Sequence, residues 1–112
     1  MKIDLSKINW EGQWFDFKDE ARLKIRPIPR SRQNFLLTQQ GMRFDGSQRM
    51  EDFKFSLVAI EGIEIIDQKG NAVQLNDLVK QTIFDSNWEG IPDFVLEKQL
   101  FLAAQMAESE KN

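Results

Sequence analysis

Arg22-Leu23-Lys24-Ile25-Arg26 alternates strictly, with Leu23 and Ile25 on one side and Arg22, Lys24 and Arg26 on the other. A period of two over five residues predicts a half-buried β-strand, one face on a core and the other toward water. Pro27 and Pro29 end it, because neither carries an N–H for a ladder. Upstream, Trp14-Phe15-Asp16-Phe17 is a second strand-forming run, separated from the first by Lys18-Asp19-Glu20-Ala21. The pair predicts an antiparallel hairpin. Two strands alone are marginal in water, so the rest of the chain must cover one face of this hairpin.

Downstream, Ser31 reads as a helix N-cap, residues 32–40 as the helix and Gly41 as its C′ residue. After Gly46-Ser47, the residues Met50, Phe53, Leu57 and Ile60 recur at helical spacing with Glu51, Asp52 and Lys54 between them. This predicts an amphipathic helix of about three turns closed by Gly62. Ile63-Glu64-Ile65-Ile66 and Ala72-Val73-Gln74 read as a second hairpin around the turn Asp67-Gln68-Lys69-Gly70-Asn71. Asn76 caps a further helix through Asp85. Ser86 to Gly90 is a break, and Pro92 and Asp93 suit the first turn of a last helix running to about Ala107. Upstream of the hairpin, residues 1–12 read as an N-terminal arm, and residues 108–112 as a frayed polar tail. The expected architecture is one α+β domain over residues 1–112, a small antiparallel sheet from two hairpins packed against about four helices.

Composition narrows the function classes. The chain has 112 residues, 41% apolar and 29% charged, which is a globular mixture long enough to bury a core. Nine Phe and three Trp without a Tyr leave most of the aromatic surface with no polar handle, as expected for a core or an interface. There is no Cys, which fits a reducing compartment. The opening Met1-Lys2-Ile3-Asp4-Leu5 lacks the apolar run of a signal peptide, and no stretch is long and apolar enough for a membrane span. A soluble, cytoplasmic protein with no membrane partner is expected. The net charge of −3 conceals a polarity of −2 over residues 1–20, +5 over residues 21–54 and −6 over residues 55–112. Two solvated faces of one domain are the favoured reading, with head-to-tail association or an acidic partner as the alternative.

Absent residues exclude much catalytic chemistry. With no His there is no ordinary base near neutral pH and no imidazole metal ligand, and with no Cys no thiolate nucleophile. Phosphate-binding and nucleophile-elbow motifs are missing too. Asp16, Asp19, Glu20, Glu61, Glu64 and Asp67 are the carboxylates by which general acid–base chemistry would have to proceed, and solvated surface positions are the favoured reading for them. The Asp67–Asn71 segment is no EF-hand, since Gly70 stands fourth and Leu78 twelfth where Gly sixth and Glu twelfth are needed. We therefore expect no catalysis, no cofactor and no metal. Asn9-Trp10-Glu11-Gly12 recurs as Asn87-Trp88-Glu89-Gly90 without matching flanks, each placing a Trp beside a turn. A Trp that proves exposed there becomes a candidate interface anchor.

Two stretches together resemble the small proteins encoded among the tail genes of phages and prophages. One is Trp14-Phe15-Asp16-Phe17 leading to Ala21-Arg22-Leu23-Lys24-Ile25-Arg26-Pro27-Ile28-Pro29. The other is Phe55-Ser56-Leu57-Val58-Ala59-Ile60-Glu61-Gly62-Ile63 leading to the Asp67–Asn71 turn, with Pro92-Asp93-Phe94-Val95 opening the last helix. Ile60 stands where a Trp is common in that pattern, and the Pro-rich tail of some members is missing. The resemblance implies a tail-assembly chaperone-like protein, acting in the cytoplasm of a bacterial host, that binds a tape-measure or tail protein and needs no cofactor. Its candidate contact residues are Trp10, Trp14, Phe15, Phe94, Phe101 and Leu102, with Arg22, Lys24 and Arg26 on the basic strand. The alternative is a nucleic-acid-binding or regulatory accessory protein using the basic residues of 22–32, which would bind in a salt-sensitive way.

Overall fold

The computed structural model describes residues 1–29 and 46–110, and the helix expected over residues 32–40 lies outside them. The hairpin forms as the alternation predicts. Strand β1 (Gln13–Asp16) pairs antiparallel with β2 (Arg22–Ile25), in register Phe15 with Leu23 and Asp16 with Arg22. Asp19 and Glu20 turn the chain with φ of 55° and 63°, and the Ala21 N–H closes the turn on the Lys18 carbonyl at 3.1 Å. Both non-glycine residues sit in the left-handed region that hairpin turns of this type require.

The third strand comes from an unexpected place. Helix α1 (Gly46–Ser56) stops about a turn and a half short of the expected end, and Leu57–Glu61 continues directly as strand β3. This corrects the single helix read from the spacing of Met50, Phe53, Leu57 and Ile60. The cause is tertiary. The last carbonyls of α1 are taken by groups distant in sequence: Lys80 Nζ donates to the Lys54 carbonyl at 2.9 Å, Arg26 Nε to that of Phe55 at 2.7 Å and the Arg26 N–H to that of Ser56 at 3.0 Å. Cations at a helix C-terminus satisfy its orphan carbonyls and complement its dipole. The β-branched residues Val58 and Ile60 then favour an extended chain.

β3 pairs antiparallel with β2, giving a three-stranded sheet in the order β1-β2-β3. The register slips by one residue between Lys24 and Ile25, which leaves Val58 as the extra residue of a bulge. Gly62 ends β3 against the β1–β2 turn, where a Cβ would stand 2.9 Å from the Glu20 carbonyl oxygen. The second expected hairpin is reduced to one bridge between Ile66 and Ala72 around the turn, so the sheet is built from one hairpin and β3. Gly70 takes a φ of 84° in that turn, and the Asp67 side chain accepts from the Lys69 and Asn71 N–H groups.

Helix α2 (Asp77–Ser86) starts at the expected cap, with the Asn76 side chain accepting from the Val79 N–H at 2.9 Å. A short 3-10 turn, Trp88–Gly90, leads into α3 (Ile91–Glu110), which extends past the expected end near Ala107. The core lies between the sheet and the three helices: Leu23 and Ile25 of β2, Phe53 of α1, Leu57 of β3, and Ile91, Val95 and Leu102 of α3. Inside it, Gln99 Nε2 donates to the Asp52 carbonyl at 3.1 Å and to Ser56 Oγ at 2.9 Å, tying α3 to α1 through buried hydrogen bonds. The result is an α+β fold with a three-stranded antiparallel sheet, and no described helix is long and apolar enough to cross a membrane.

Candidate functional site

Strand alternation sends Phe15 of β1, and Phe17 just beyond its end, toward α3 and leaves Trp14 and Asp16 on the opposite, exposed face. On α3, Phe94 and Phe101 are two turns apart on the flank nearest β1. The rings meet edge-on, Phe15 with Phe101 at 6.1 Å and Phe17 with Phe94 at 4.9 Å. Between them the Lys98 ammonium lies 5.4 Å from the Phe15 ring centre and 5.1 Å from that of Phe94. Edge-on aromatic pairs and cation–π contacts of this kind each add about 0.5–1 kcal/mol beyond area burial. They fix the edge strand to the helix and form an aromatic margin along the molecule.

Not all of that margin is covered. Phe101 is 48% exposed and the adjacent Leu100 44%. The opposite side of the same helix carries the buried Val95, Leu102 and Met106. α3 is therefore apolar on both its core side and its outer side, with Asp93 and Glu97 beside the outer apolar residues. Leu102, expected among the contact residues, is instead buried in the core, 5% exposed. Its position one residue after Phe101 turns it about 100° around the helix, a difference that the helical spacing reveals only once the core side is known. Leu100 was missed by the sequence reading for the same reason.

The two Asn-Trp-Glu-Gly segments both form turns closed by a Gly N–H on the Asn carbonyl, at 3.2 Å in each case. Both tryptophans are exposed, Trp10 at 45% and Trp88 at 60%. Trp10 belongs to the N-terminal arm, while Trp88 sits where α2 passes into α3, so the two are candidate anchors on different parts of the surface.

The basic strand is largely committed within the chain. Arg22 makes a bidentate contact with Glu61 at 3.1 Å from Nη2 to each carboxylate oxygen, and its guanidinium lies 4.8 Å from the Trp14 ring centre. Its hydrogen bonds to Glu61 hold its pKa above the ordinary arginine value. Arg26 is occupied at the end of α1 and stacks on Phe55. Lys24, between them in sequence, is half-buried and makes no ion pair among the described residues. Arg30 and Arg32 lie outside those residues.

Of the carboxylates singled out for acid–base chemistry, all six are exposed: Glu61 is bound by Arg22, Asp67 is held in its own turn, and Asp19 and Glu20 form the hairpin turn. No group of three or more carboxylates among the described residues could hold a metal ion. A cleft of about 90 Å³ lies between the arm and the end of α3, lined by Ile8, Pro27, Leu102 and Met106 among others. It has room for one side chain, against the roughly 300–1,000 Å³ of a small-molecule site. Compared with known proteins, the chain matches no family model, no curated protein and no solved structure.

Proposed function

We propose that this protein is a non-catalytic, protein-binding assembly factor of the phage tail-assembly chaperone type. Its partner is a tape-measure or tail protein, met in the cytoplasm of a bacterial host. The observation that carries this reading is α3, which exposes Leu100 and Phe101 on one side while burying Val95 and Leu102 on the other. A helix apolar on both sides is the kind that a second surface covers. The partner segment that fits is an amphipathic helix with an apolar stripe for Leu100 and Phe101 and basic residues facing Asp93 and Glu97. The sequence resemblance to tail-gene products supplies the class of partner.

Nucleic acid is the weaker reading, because Arg22 and Arg26 are already engaged with Glu61 and Phe55. Co-expression with the products of neighbouring genes tests the proposal. Recovery of a tape-measure-like or tail protein at fixed stoichiometry, lost on Leu100→Lys, supports it. Salt-sensitive retention of nucleic acid with no protein partner contradicts it.

A further inference from the structure

The two edges of the sheet are unlike. β3 is broken by the bulge at Val58 and ends at Gly62 against the hairpin turn, features that blunt an edge against further pairing. β1 has neither a bulge nor a proline. Its backbone orientation follows from the hairpin: the Phe17 N–H donates to the Ala21 carbonyl at 2.8 Å, so Phe17, Phe15 and Gln13 bond inward to β2. Trp14 and Asp16 then turn their N–H and C=O groups outward, and no described residue takes them.

We propose that this edge pairs antiparallel with the β1 edge of a second copy of the chain, about a two-fold axis at Phe15. Two three-stranded sheets become one of six strands. An isologous contact requires a self-complementary patch, and this register is one. Trp14 stands opposite Asp16 of the second copy, and Asp16 opposite its Trp14, so both outward residues of each strand use their N–H and C=O groups. On the outer face the row Ala59, Lys24, Trp14 continues into Asp16, Arg22, Glu61 of the second copy, using the neighbours already paired within each chain. Signs alternate along that row and no like charges meet. Moving the axis to Asp16 would instead set two aspartates opposite each other, which is destabilising.

The inner face fits the same axis. The two Phe15 side chains form the close, non-hydrogen-bonded pair. With α3 packed under β2, the helices of the two copies stand about 14 Å apart, three inter-strand spacings. Phe15 of each copy, edge-on against its own Phe101, lies in the space between them.

The absence of cysteine makes the register directly testable. Trp14→Cys and Asp16→Cys both alter exposed residues outside the core. Mixed under mild oxidation, they should form the heterodisulfide at least about tenfold faster than either homodisulfide, because only that pair is directly opposed. Unmodified protein should show a reversible monomer–dimer equilibrium by sedimentation in the micromolar range, weakened at least about tenfold by Phe15→Lys. Equal rates for mixed and unmixed variants, or a strictly monomeric chain at millimolar concentration, would overturn the proposal. So would faster cross-linking through Val58→Cys, or a monomer whose Trp14→Cys variant cross-links only to an extended segment of a tail protein.

Discussion

Arg26 stacks over Phe55, its guanidinium carbon 3.8 Å from the ring centre, while its Nε donates to the carbonyl oxygen of the same residue at 2.7 Å. One side chain thus stacks on the last turn of α1 and terminates it. Its own N–H adds a third contact, to the Ser56 carbonyl. Arg26→Ala should lower stability by about 2–3 kcal/mol in urea unfolding, through the lost stacking on Phe55 and the lost hydrogen bond to its carbonyl. Arg26→Lys should recover little of it, since an ammonium cannot stack and donate in the same plane.

This contact also explains what the sequence could and could not reveal. The β1–β2 hairpin was legible because Leu23 and Ile25 alternate with charges, and α2 because Asn76 precedes a helical repeat. The switch from α1 to β3 was not. Met50, Phe53, Leu57 and Ile60 satisfy helical spacing, and the break at Ser56 is imposed by Arg26 and Lys80, about 30 and 24 residues away in the chain. The second hairpin failed for a related reason: its turn is locally encoded by Asp67 and Gly70, whereas its ladder needs a neighbouring strand that β3 does not offer. At the site, the aromatic residues were legible by type, but which side of α3 faces the core was not, so Leu102 was expected outside and Leu100 was overlooked.

The hairpin turn holds Asp19 and Glu20 at positive φ, where a side chain costs roughly 1 kcal/mol each. Asp19→Gly or Glu20→Gly should raise stability by up to about 1 kcal/mol. Gly62→Ala should act the other way, by about 2 kcal/mol or more, because its Cβ would meet the Glu20 carbonyl oxygen at 2.9 Å with φ at 80°. Thermal melts of the three variants check the signs.

Burial, and next the charge of Arg26, lower the pKa of Lys80 from its ordinary value of 10.5, with Asp77 opposing and Lys54 adding to the shift. The unfolded chain therefore holds this proton more tightly than the folded one. Between the lowered folded pKa and 10.5, the unfolded state binds more protons, so this residue's contribution to stability rises with pH. Measured against Lys80→Gln, the wild-type protein should gain relative stability between neutral pH and pH 10 or so.

Leu102 and Leu100 differ by two positions and should separate folding from binding. Leu102→Ala should cost about 2–4 kcal/mol by opening a cavity in the core. Leu100→Lys should change stability by no more than about 0.5 kcal/mol and yet abolish retention of the partner. Unfolding curves and pull-downs on the same two variants make the comparison.

The most direct test of the central claim is co-purification from cells expressing this chain together with its neighbouring gene products. A tape-measure-like or tail protein should be bound at fixed stoichiometry, retained in high salt and lost on Leu100→Lys. Failure of every such product to co-purify with a folded, wild-type chain would contradict it.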